Sequence, residues 1–165
     1  MQLIKSPDPW LEKQQPFFDF DKFDAEQISL DMIKIMQQEG GIGLSSNQVG
    51  IEGQVFVMKP HLLEDKTPFA VFNPIIQSVT LNNELGPEGC LSHPDLYLEV
   101  RRPKGIVVKF LDEKQNDVIL ELYDIDARCF LHEYDHLHGI EFTSRVSRLR
   151  LDRARKKRLK KYKRG

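Results

Sequence analysis

Cysteine is scarce in this chain of 165 residues: Cys90 and Cys129 are the two present, too few for a disulfide framework. In a reducing compartment such residues are buried, catalytic or metal-bound, so both stay available for chemistry. No window approaches the roughly 18 consecutive apolar residues that mark a membrane span. The N-terminus, MQLIKSPDPW, lacks the apolar run of a secretory signal, and the expectation is a soluble, intracellular protein. The glycine-rich stretch GGIGLSSNQVG (40–50) lacks what a phosphate loop needs. Ser46 stands where a dinucleotide fingerprint has its third glycine, the P-loop lysine is missing, and the stretch follows a helical pattern instead of opening one. Taken alone it reads as a helix C-cap and a connection; to be half of a site it needs a partner elsewhere.

Net charge is small at −1, yet it is unevenly distributed. Residues 145–165 hold twelve of the 24 Lys/Arg and only one of the 25 acids, Asp152, which leaves +11 on the tail and −12 on the body. Such density suggests contact with RNA or another polyanion through counterion release. The competing reading is a solvated helix that docks on its own acidic body.

The hydrophobic pattern predicts one α+β domain. The first twenty residues, with Pro7, Pro9, Pro16 and three phenylalanines, read as an irregular arm laid over the body. Asp24 and Gln27 fit an N-cap and its N3 partner, followed by Ile28, Met32, Ile35 and Met36 at helical spacing until Gly40-Gly41. Short β-branched or alternating runs at 54–59, 69–73, 75–80, 96–100, 105–111 and 117–122 predict mostly antiparallel sheets. Asp124 is suited to cap a second helix carrying Ile125, Arg128, Cys129, His132 and His136, with Gly139 at its C-terminus. Val146, Leu149 and Leu151 give a weak apolar stripe to a tail helix of about four turns, frayed at its far end. The division predicted is a catalytic body over 1–146 and a basic helix or tail over 147–165.

HEYDH (132–136) carries the strongest chemical signal. Residues four apart share a helix face, so His132 and His136 can hold one metal ion while Glu133 handles a proton beside them. A third ligand is still required. The long metzincin pattern would place a histidine at 142, where Phe142 stands, and after Glu141 the only acid is Asp152 among arginines. Upstream, EGCLS (88–92) offers Cys90, whose thiolate with two histidines would leave a fourth position for water; its alternative is simple core packing. An HExxH metallopeptidase cutting internal peptide bonds, or an RNA-binding protein with a structural metal site, are the competing functional classes.

GIGLSSNQ (41–48), EGCLS (88–92) and HEYDHLHG (132–139), in this order and at these separations, resemble the three signature segments of the peptide deformylases. The likeness covers residues 1–145. It implies a compact single domain of mostly antiparallel sheets around a central HExxH helix. The implied activity is removal of the N-formyl group from the formyl-methionine of nascent polypeptides, with release of formate.

The resemblance also implies roles by position. Cys90, His132 and His136 correspond to the metal ligands, for ferrous iron natively, with zinc, nickel or cobalt accepted. Glu133 corresponds to the catalytic glutamate, and Gln48 with the N–H of Leu91 to the donors that meet the formyl oxygen. Ile42, Gly43, Ile125 and Cys129 correspond to the wall of a methionine pocket, and Glu88 shapes that pocket or supports its loop. Two alanines are usual where Ser45 and Ser46 stand, a glutamine where Leu131 stands, and an arginine near Tyr97. The nearby Arg101 and Arg102 are suited to bind substrate or to pair with Asp135. The basic tail matches a helix that docks some members on ribosomal RNA. A monomer in the bacterial cytosol is expected, encoded by host or phage, with a matured organellar form the other setting.

Overall fold

The computed structural model describes residues 1–162; the expected fraying at 163–165 lies outside the described residues. Among these residues all strand pairing is antiparallel, as the spacing of the short runs predicts. Five strands, β1 (Gly43–Ser45), β2 (Val55–Met58), β3 (Phe69–Val79), β6 (Gly105–Leu111) and β7 (Asp117–Tyr123), form one sheet in the order β1-β2-β3-β6-β7. A separate two-stranded ribbon pairs β4 (Asn83–Cys90) with β5 (His93–Pro103).

Local chemistry sets several of these boundaries. The β6–β7 hairpin closes on Asp112, whose carboxylate accepts from the N–H groups of Lys114 (2.9 Å) and Asn116 (2.8 Å). The two runs expected at 69–73 and 75–80 are one strand. Pro74 cannot donate to a ladder, and the register shifts between Phe72 and Ile75, with Asn73 at a φ of 49°, so the strand bends through a bulge instead of ending. Asn73 then takes the arm: its Oδ1 accepts from the Phe18 N–H at 2.7 Å, and the Phe18 ring packs edge-on to Phe72 with 4.7 Å between centroids.

Helix α1 (Ala25–Gln38) starts where expected, with the Asp24 carboxylate accepting from Gln27 N–H at 3.0 Å. Its buried side chains, Ile28, Met32 and Met36, lie against β2 and β3 through Val55, Val57, Ala70 and Phe72. Helix α2 (Asp124–Leu137) is shifted by one residue from the expectation: Tyr123 is the N-cap and Asp124 the first helical residue, at a φ of 49°. The reason is that β7 pairs through Tyr123, so the chain turns into the helix immediately on leaving the strand. Gly139 supplies the left-handed conformation after the helix, at a φ of 70°.

Helix α2 is buried on nearly all sides. Ala127, Phe130, Leu131 and Leu137 enter a core with Phe56, Val71, Ile106, Val108, Phe110 and Leu122 from the large sheet. The other side, with His132, Glu133 and His136, is turned away from that packing. The arm crosses the helix end, where the Gln15 N–H donates to the Leu137 carbonyl at 2.8 Å.

The basic segment forms α3 (Arg148–Tyr162) and docks on β5. Leu151 and Ala154, with Val146, cover Leu96, Leu98, Val100 and Phe142. Leu149, expected in the stripe, is exposed; the contact with β5 follows the i, i+3 spacing of Leu151 and Ala154, which places Leu149 on another face. No helix among the described residues is long and apolar enough to cross a membrane.

Phe130 is fully buried and meets Phe56 edge-to-face at 5.0 Å, so it holds α2 against the sheet. Phe130→Ala is expected to lower stability by about 3–5 kcal/mol, measured by urea unfolding.

Candidate metal centre and substrate cleft

The distant segments singled out in the sequence converge on one cleft of about 410 Å3. Gly41, Ile42 and Gly43 form one wall with Gln48 at its depth; β4 and its turn bring Glu88, Cys90 and Leu91; α2 supplies Ile125, Cys129, His132 and Glu133. Every sequence-predicted site residue except His136 lines this space, and His136 lies fully buried behind Cys90 with its Nε2 3.4 Å from Sγ.

The donor set fits a divalent ion. One ligand atom each from Cys90, His132 and His136 lies within 4.8 Å of the other two. His132 has its Nδ1 engaged by the Glu88 carboxylate at 3.0 Å, which leaves Nε2 for the metal, in the carboxylate–histidine arrangement that orients such ligands. Such a set of one sulfur and two nitrogen donors is of the kind that would hold a catalytic ion and still admit water to it.

Glu88 is 5% exposed and is wholly engaged by partners inside the protein. Its Oε1 accepts from Arg102 Nε (2.9 Å) and Arg128 (3.0 Å), and its Oε2 from Arg102 (3.0 Å) besides His132. Burial alone would raise this carboxyl, but the hydrogen bonds from His132 and Arg102 carry it down to about 2. Arg102 also bonds Asp135 on α2, which settles its role as internal pairing; Asp135 in turn accepts from Arg145.

Glu133, on the same helix, has the opposite environment. It is 4% exposed, its Oε2 finds no hydrogen-bond partner, and burial pushes its carboxyl up to about 7, with His132 opposing and Glu88 adding. A carboxyl near neutrality beside these three donor atoms is equipped to take a proton and return it. His136 is driven well below its ordinary value by burial and by the neighbouring His132 charge, which keeps its ring in the neutral form a metal requires.

Two further positions acquire reasons from the structure. Gly43 was expected to let substrate lie against the backbone; a Cβ there would also come within 2.9 Å of Cys129 Sγ and of the Glu133 carboxyl carbon, so the glycine is what admits the glutamate. Burial raises the Cys129 thiol well above its usual value, so it stays protonated and donates to the Ile42 carbonyl at 3.4 Å, as cleft wall and core residue at once. The serines in place of alanines are satisfied: Ser46 Oγ donates to the Gly53 carbonyl at 2.7 Å, and Ser45 Oγ to Gln48 Oε1 at 3.3 Å. Leu131 joins the apolar core.

The sequence places Arg128 on the ligand helix and Ser92 in EGCLS without giving either a role, and strand β4 was not expected at all. GPEG reads locally as a turn, yet Gly86 and Gly89 are where Arg128 and the Tyr97 ring lie against the strand, each within 2.9 Å of where a Cβ would be. Arg128, four residues before His132, shared the face of the ligand helix and was the available signal.

An open Cys-His-His donor set on an HExxH helix, with an unpaired carboxyl facing an apolar cleft in an α+β body, defines the class of metal-dependent hydrolases. The comparisons make the family specific. The sequence model of the family described as polypeptide deformylase matches residues 1–152. A peptide deformylase from Agrobacterium fabrum is 37% identical over 158 residues, covering 94% of this chain and 92% of that protein. The crystal structure of a peptide deformylase from Synechococcus elongatus in complex with actinonin superposes with a TM-score of 0.86 at 35% identity, over 94% of this chain and 86% of that one. The enzyme of the Vibrio parahaemolyticus bacteriophage VP16T, also with actinonin, gives 0.79 at 31% identity, over 86% and 99%. The chain belongs to the peptide deformylase family, metal-dependent enzymes that remove the N-formyl group from nascent peptides.

Replacing Glu88 by Gln keeps its shape while removing the charge that orients His132 and neutralises Arg102. Metal affinity is expected to fall about 10–100-fold, measured by competition with a chelator.

Proposed function

We propose that Cys90, His132 and His136 hold a ferrous ion, and that Glu133 and Gln48 act on the formyl group of an N-formyl-methionyl peptide. The observation that carries this reading is the buried, unpaired Glu133 carboxyl beside the three converging ligand atoms. When bound, the ion supplies positive charge that makes a water acidic and the formyl carbonyl electrophilic. The thiolate suits ferrous iron and zinc alike, so availability selects between them.

The protein's own groups do the rest. Glu133 accepts the proton of the attacking water at its free oxygen. As charge grows on the formyl oxygen, the Gln48 amide and the Leu91 N–H donate to it; one such donor is typically worth about 3 kcal/mol. Glu133 then gives its proton to the departing amine, so that formate and a free N-terminus leave and the carboxylate is restored. Ile42, Ile125 and Cys129 offer the methionine side chain an apolar wall and keep bulk water from the reacting bond.

The exposed cations of α3, among them Arg153, Lys156, Lys157 and Lys160, support docking on ribosomal RNA, which would bring a monomeric enzyme in the bacterial cytosol to its substrate.

Two experiments check these assignments. Anaerobically purified protein should release formate from a formyl-Met peptide, and Glu133→Ala should lower that rate by about 10²–10⁴-fold with metal content retained, whereas Cys90→Ala should lose the metal. Formate absent from the iron-loaded wild type would refute the reading. For α3, co-sedimentation with ribosomes should weaken at least about tenfold between about 50 and about 200 mM salt, and further when the four exposed cations named above are changed to Gln. Association indifferent to salt and to those changes would exclude electrostatic docking.

A further inference from the structure

A side-chain amide can present either its oxygen or its nitrogen, and a donor to the formyl oxygen works only if nitrogen faces the reacting centre. At one end of the Gln48 amide, Oε1 meets the backbone N–H of Ser45 at 2.9 Å, a group that can only donate. At the other end, Nε2 donates to Ser92 Oγ at 3.1 Å. Ser92 has one hydroxyl proton, and it goes to the Ile4 carbonyl at 2.8 Å, a group that can only accept. Towards Gln48, Ser92 is therefore left as an acceptor.

Both ends of the amide are thus referred to backbone groups of fixed polarity. Flipping it would set an NH2 against the Ser45 N–H and turn the Ser92 proton away from Ile4. Ser45, Gln48 and Ser92 are at most 1% exposed, so no solvent compensates for those losses. The second hydrogen of Nε2 is left on the side of Cys90, whose Sγ lies 3.4 Å away.

The arm that brings the Ile4 carbonyl is itself stapled to both loops. The Ile4 N–H donates to the Gln48 carbonyl at 2.7 Å, and the Ser6 N–H to the Ser92 carbonyl at 2.9 Å. Residues 4–6 therefore join the glycine-rich loop to the segment after Cys90, in direct contact with the residue that orients Gln48.

We propose that Ser92, oriented by the Ile4 carbonyl of the N-terminal arm, is a positioning residue that holds Gln48 with its Nε2 facing the reacting centre. This rests on the reading of Gln48 as a donor to the formyl oxygen, and the test separates the two. Steady-state formate release is measured for wild type, Ser92→Ala, Gln48→Ala and the double variant, with metal content and melting temperature recorded for each. Gln48→Ala should lower kcat by about 100-fold or more, the usual effect of removing an oxyanion donor. Ser92→Ala should lower kcat about tenfold with KM within about twofold and metal retained, and should add nothing once Gln48 is gone.

A Ser92→Ala enzyme with wild-type kcat overturns the positioning role, as does an equal loss in the presence and absence of Gln48. Wild-type kcat in Gln48→Ala overturns instead the donor reading beneath it. A readout independent of turnover keeps the proposal testable if Ser92→Ala is poorly active for other reasons. In zinc-loaded protein, hydrogen exchange of the Gln48 side-chain amide, followed by NMR, should accelerate about tenfold or more in Ser92→Ala; unchanged protection counts against the lock.

Discussion

Glu88 is the charge on which the centre depends. Its carboxylate is almost wholly removed from water and is shared by Arg102, Arg128 and His132. Removal of a carboxylate from water is costly, and it is tolerated here because each lone-pair direction meets a cation or ring N–H at ordinary hydrogen-bond distance. The partners come from different elements, Arg102 from β5 and the other two from α2, so the interaction that neutralises Glu88 also sets the ribbon against the ligand helix. Arg102 continues the chain to Asp135, and Asp135 to Arg145 just before the tail helix. The orientation of the His132 ring, ribbon placement and the departure of the C-terminal segment thus follow from one buried network.

That network also explains how two glutamates near each other come to differ. Cations surround Glu88 and hold it ionised, whereas at Glu133 burial, with one oxygen unpaired, outweighs the opposing pull of His132 and carries the carboxyl up to about 7. One carboxyl is a fixed charge, and the other can gain or lose a proton near neutral pH. Gly43 is part of this contrast, since any side chain there would occupy the space of the Glu133 carboxyl.

Much of the site was legible because its chemistry has local periodicity. His132, Glu133 and His136 are intelligible from helical spacing alone, and the boundaries of α1 from a cap aspartate and its partner three residues on. Strand β4 was not legible, because GPEG carries the signal of a turn and becomes a strand only when eleven residues of β5 lie beside it. The bend at Asn73-Pro74 was hidden for a similar reason: proline looks like a strand end until the bulge shows where the missing donor is absorbed. Ser45 and Ser46 looked like departures needing explanation, and their partners, Gln48 and the Gly53 carbonyl, were invisible without the fold of the loop.

What the sequence by itself determined is the set of chemical groups and the elements that carry them: two helices with readable starts and stops, short antiparallel strands, two histidines on one face, one thiol, one glutamate beside them, and a tail of concentrated positive charge. These are properties of neighbours along the chain, where spacing and capping operate. Only the tertiary structure decided which of them meet. It placed Cys90 against histidines more than forty residues away, assigned Arg102 to Glu88 and Asp135, and brought the arm across two loops so that the Ile4 carbonyl reaches Ser92 and, through it, Gln48. Hydrogen-bond polarity and desolvation are set by groups distant in sequence, and that is why they enter only when the chain is folded.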